Sequence, residues 1–129
     1  MTALRVTVEA MYQPQVASAT VLETHELDQI RIDILGDIES ASAIQYLWIA
    51  AAFRPDEDQP SFFVASECNA LAQSIGGGSH FLGVFSGEGH ANLGASDRWA
   101  ELEHFVPKAL ELVGEWAKTE TPGEDDIRI

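Results

Sequence analysis

The sequence predicts a small α+β domain, a mostly antiparallel sheet with a C-terminal amphipathic helix packed on one face. Three observations carry that expectation. Several segments alternate apolar and polar residues with period two, the terminal segment repeats apolar positions at helical spacing, and 46% of the 129 residues are hydrophobic, enough for one core. The length fits a single domain, placed at residues 1–118, followed by an acidic, flexible tail over 119–129 that carries Pro122-Gly123.

The first alternation sets Leu4, Val6, Val8 and Ala10 against Arg5, Thr7 and Glu9, as in a strand with one buried face, and Pro14 closes it. Val16 to Thr24 is a less regular strand candidate. Gln29 to Ile34 alternates cleanly, with three isoleucines on one side, and Gly36-Asp37 breaks the pattern. Two readings fit the alanine-rich run that follows. Ile44, Leu47, Trp48 and Ala51 have the spacing of a buried helix; alternatively, a short helix at 37–43 precedes a strand from Tyr46 to Arg54. The turn-rich loop Pro55 to Ser61 and the strand-forming Trp48, Ile49 and Phe53 favour the strand, paired with Phe62 to Glu67.

His80 to Phe85 resumes a strand, and Ser86-Gly87-Glu88-Gly89 turns it back into a second hairpin arm over His90 to Gly94. From an N-cap at Ser96 or Asp97, the positions Trp99, Leu102, Phe105, Val106, Ala109, Leu110, Val113 and Trp116 form the apolar stripe of a helix. Pro107 cannot donate to the carbonyl of Glu103. A kink there, or a second helix with Pro107 in its first turn, is therefore expected.

Seven Lys and Arg against 21 Asp and Glu give a formal charge of −14. Polyanions are bound by clustered cations, and the seven here are scattered from Arg5 to Arg128, so neither nucleic acid nor an anionic membrane is an expected partner. The same charge favours solubility and attracts a basic protein partner. Cys68 is the only cysteine, which excludes an intramolecular disulfide and a zinc site built from several thiolates. The N-terminus lacks a basic segment followed by an apolar run, and no apolar run approaches the ~20 residues of a membrane helix. The expected location is the cytoplasm.

Reactive side chains concentrate between Gly76 and His104, which holds three of the four histidines. If the hairpin turns about Gly87 or Glu88, His80 and His90 approach each other with Glu88 at the tip. Two imidazoles and a carboxylate would serve a divalent metal or small ligand, with Gly76 to Ser79 as a mobile rim. Their separations match no established ligand signature. Glu101 and His104 form a single Glu-x-x-His unit where di-iron bundles need two, and read as a solvated helical pair.

A hydrolase would draw on Ser79, Ser86 or Cys68 and the amides of Gly76-Gly77-Gly78, but the Gly-x-Ser-x-Gly elbow is absent. Neither glycine cluster has the spacing of a phosphate loop. Trp48 and Trp99 read as core; Trp116, near the helix end, reads as core or as an exposed interface anchor. The leading expectation is a non-enzymatic protein-binding or regulatory module, alone or as a homodimer, that requires no cofactor. The alternative is a small-ligand or metal-binding protein or enzyme with its site at His80, Glu88 and His90.

Overall fold

The computed structural model describes residues 13–68, 78–87 and 89–119. The strand expected over Leu4 to Ala10, Glu88, and the tail beyond Thr119 lie outside them. Six strands follow one another in the chain: β1 (Val16–Leu27), β2 (Ile30–Ser40), β3 (Tyr46–Phe53), β4 (Phe62–Cys68), β5 (His80–Ser86) and β6 (Gly89–Ser96). They lie in that same order in one sheet, each antiparallel to the next. A 3₁₀ turn (Asp97–Ala100) leads into α1 (Leu102–Thr119), giving the expected α+β architecture.

Strand alternation decides what each face carries. Ile32 and Ile34 of β2 stand opposite Ala52 and Ala50 of β3, which stand opposite Phe62 and Val64 of β4. With Ile30 and Leu82 these residues form the face that receives α1 through Phe105, Ala109, Val113 and Trp116. Those four helix positions recur every three or four residues, and Phe105, Ala109 and Val113 are wholly buried. The two small alanines at the centre of the sheet let the helix sit close over β3 and β4. A second cluster, Tyr46, Ile49, Ala65 and Phe85, occupies the alternate positions of β3, β4 and β5 and so the opposite face.

Four expectations are corrected. Asp28 and Gln29 both have positive φ, 51° and 72°, and form the two-residue turn between β1 and β2, so the second strand starts at Ile30. Gly36-Asp37 does not end it. Asp37 adopts a left-handed φ of 48° beside a register shift, a bulge that lets β2 continue to Ser40, and no helix forms at 37–43. The break expected at Pro107 lies earlier, at Glu101, whose extended backbone separates the 3₁₀ turn from α1. Pro107 stays inside one continuous helix on its exposed side, where water can serve the carbonyl of Glu103.

Finally, Trp116 is only 7% exposed. It stacks on Phe62 with ring centroids 4.9 Å apart, and the Arg54 guanidinium lies 4.4 Å from its ring centroid. It belongs to the core, and the interface-anchor reading fails because α1 turns that side of its last turns onto the sheet. The 3₁₀ turn is fixed to the same face: Ser66 Oγ donates to the Trp99 carbonyl at 2.6 Å and Trp48 Nε1 to the Ala100 carbonyl at 3.4 Å. Among the described residues no helix is long and apolar enough to cross a membrane.

Candidate functional site

His80 and His90 do not converge. His80 opposes Cys68 and alternates with Leu82 and Val84, which places it on the helix face. His90 opposes Phe85 and stacks on it, centroids 4.1 Å apart and planes 6° from parallel, which places it on the other face. An ion held by both imidazoles is therefore not formed, and Glu88 lies outside the described residues. Gly78 is buried, and a Cβ there would run into the backbone of Ser96. Gly78 is therefore packed, and Gly76 and Gly77, the other glycines of the expected rim, lie outside the described residues.

What His90 meets instead is Glu67. The Nε2 atom of His90 lies 3.4 Å from Glu67 Oε2, with 36% of the imidazole and 9% of the carboxylate side chain exposed. That oxygen is buried and has no hydrogen-bond partner among the described residues, so the contact is a close approach without donor alignment. Gly83, on the intervening strand, makes the meeting sterically possible. A Cβ at this position would fall 2.5 Å from Oε2 and 3.1 Å from the imidazole Nε2. Tyr46 opposes Glu67 from β3 and Phe81 opposes it from β5.

The electrostatics follow from that burial. Loss of water pushes the Glu67 carboxyl above its ordinary range, and the imidazole of His90 pulls it partly back. Burial also raises Tyr46, and the neighbouring Glu67 carboxylate raises it further. On the helix face, burial lowers His80 while Asp97 opposes the change. Ser79 Oγ lies 2.9 Å from His80 Nδ1, but Asp97 spends Oδ1 on the Ser79 backbone N–H, so the three residues secure the start of β5 rather than form a relay. Of the other hydrolase candidates, Cys68 is exposed at a strand end.

Two further regions lie on the surface. Glu101, Glu103 and His104 cluster at the start of α1, all exposed, with His104 Nε2 3.2 Å from Glu101 Oε1. Beside them a shallow hollow of about 250 Å³ runs along Arg98, Trp99, Glu103, Pro107, Lys108 and Glu111. At the far side of the sheet, β1 is the edge strand among the described residues, and its central residues are almost all exposed, including Val21 at 54% and Leu22 at 40%. Its polar side chains pair along the strand or with β2: His25 with Glu23 at 2.8 Å, Ser18 with Glu39 at 3.1 Å and Thr24 with Asp33 at 3.0 Å.

Comparisons with models of known families, with curated proteins and with solved structures return no match. The geometry alone carries the functional reading.

Glu67 is the residue that sequence reasoning missed. It was legible only as the last residue of a strand pattern, Phe62 to Glu67, and it lies 23 positions from His90. The one available signal was parity: Phe63, Ala65 and Glu67 share a face, so a carboxylate stands where the pattern requires an apolar side chain.

Proposed function

We propose that this protein is a non-enzymatic, cytoplasmic binding module that engages a basic protein partner along the β1 edge, as a monomer or a homodimer. The observation that carries the reading is the exposed apolar pair Val21 and Leu22 in the middle of a twelve-residue edge strand. An edge strand presents unpaired backbone donors and acceptors, and native proteins usually blunt such edges with Lys or Pro. β1 contains neither. Added strands bind through main-chain hydrogen bonds, and side chains at alternate positions supply selectivity.

Charge supplies the preference for a basic partner. Glu23 and Glu26 lie in β1, Asp28 in the turn, and Asp33 and Glu39 beside them on β2, within a chain of net charge −14. Such a surface accelerates encounter with cationic segments and weakens as salt screens it. Three register irregularities along β1 bend the edge and discourage indiscriminate pairing.

The test is a pull-down from the native host with the full chain, compared with a Val21→Ser/Leu22→Ser variant of unchanged charge. One stoichiometric protein is expected at low salt, lost at high salt and lost with the variant. No stoichiometric partner at either salt, or a partner retained by the variant, overturns the proposal.

A further inference from the structure

We propose that Glu67 and His90 together hold a divalent transition-metal ion in the space above Gly83. The contact has the wrong length for what it would otherwise be. A charge-assisted N–H···O bond closes to about 2.7–2.9 Å, whereas these atoms stand 3.4 Å apart and are not aligned as donor and acceptor. Ligands about 2.0–2.1 Å from a tetrahedral ion are separated from each other by about 3.3–3.4 Å. The observed separation equals that spacing, so the two atoms can ligate one such ion without moving apart.

The donor set selects the class of ion. One carboxylate oxygen and one imidazole nitrogen suit Zn²⁺ and its first-row neighbours, whereas Ca²⁺ and Mg²⁺ favour oxygen ligands alone. Among the described residues Glu67 Oε2 has no hydrogen-bond partner, and a bound cation supplies the countercharge that burial denies it. Stacking on Phe85 fixes the plane of the His90 ring, and the exposed part of that ring leaves a path from solvent. Glycine at position 83 preserves the volume, since a Cβ would stand against both ligand atoms. Coordination positions not filled by these two side chains are open to water or a small anionic ligand, as in zinc sites that keep an exchangeable position.

The inference is independent of partner binding at β1, which lies at the other edge of the sheet. Titration of the full chain with Zn²⁺ in a calorimeter, with Co²⁺ absorption as a second readout, tests it directly. One saturable equivalent per chain is expected. His90→Ala and Glu67→Gln should each weaken binding by at least about tenfold, and Gly83→Ala should weaken it through crowding, while Glu101→Gln/His104→Ala leaves it unchanged. His90 is partly exposed, so its variant remains informative if Glu67→Gln fails to fold. Absence of a saturable equivalent, unchanged affinity in His90→Ala, or loss in Glu101→Gln/His104→Ala overturns the proposal.

Discussion

Replacing Glu67 with leucine is expected to make the protein more stable at neutral pH. The carboxylate oxygen Oε2 is buried with no hydrogen-bond partner among the described residues, and such an orphaned acceptor costs about 1–3 kcal/mol. Leucine at this position would pack between Tyr46 and Phe81, the residues opposite it on the two neighbouring strands. The His90 left behind is 36% exposed, so water can serve its imidazole once the carboxylate is gone. For a chain of 129 residues the unfolding entropy is about 0.27 kcal/mol per kelvin, so 1–3 kcal/mol corresponds to a Tm rise of roughly 4–11 °C.

The pH dependence separates this cause from ordinary repacking. Burial raises the folded-state pKa of Glu67 above its ordinary 4.5, so the folded state binds that proton more tightly than the unfolded chain. The resulting stability is fully present below 4.5 and is lost as pH rises through the folded value. The leucine variant's advantage should therefore be largest near neutrality and shrink in acid. Urea unfolding of both proteins at about pH 7.5 and about pH 4, with m-values compared, measures it. A variant less stable at neutral pH, or an advantage equal at both values, would show that burial of the carboxylate is not the cause.

Two further outcomes test the helix face. Phe105 is wholly buried between α1 and the sheet; Phe105→Ala should cost about 3–5 kcal/mol, a Tm fall of roughly 11–18 °C by the same entropy, and a loss below about 1 kcal/mol in guanidinium unfolding would show that α1 is not seated there. His80 has its folded-state pKa lowered below 6.5 by burial, so its contribution is present above 6.5 and lost as pH falls through the folded value. His80→Asn should flatten the wild-type stability curve just below 6.5, measured as the difference between the two proteins; identical slopes would contradict it.

Most of the architecture was legible because strand parity and helical spacing are local. The isoleucines of β2, the strand-forming aromatics of β3 and the stripe from Leu102 to Trp116 each announce their element within a few residues. Two of the misses are local breakers whose cost the fold absorbs. Asp37 takes a left-handed φ as a bulge, because pairing with β1 resumes beyond it at Glu39 and Ser40. Pro107 is absorbed because its exposed side leaves the lost hydrogen bond to solvent. His90 was legible as a candidate; its partner was not, because the contact crosses β5 and depends on which face each strand turns toward it. A glycine between them reads locally as a turn or weak strand residue and only in the sheet as the space that lets two ionisable groups meet.

Ser66 and Glu67 are neighbours on one strand and show what an internally solved polar residue looks like beside one that is not. Ser66 is wholly buried and has its partner within the chain, the Trp99 carbonyl, so its hydroxyl both satisfies itself and anchors the approach to α1. One residue later the side chain crosses to the other face, and Glu67 is left with an oxygen that no described group satisfies. Native folds retain few such groups because each costs stability. An apolar side chain at position 67 would remove that cost, and the adjacent Gly83 would be as dispensable if it served packing alone. Glu67, Gly83 and His90 make sense together as the two ligands and the clearance of one site. Four strand spacings of about 4.8 Å put β5 nearly 20 Å from β1, beyond the range at which substitutions without shared partners usually couple. The ion site and the binding edge therefore stand or fall on separate residues.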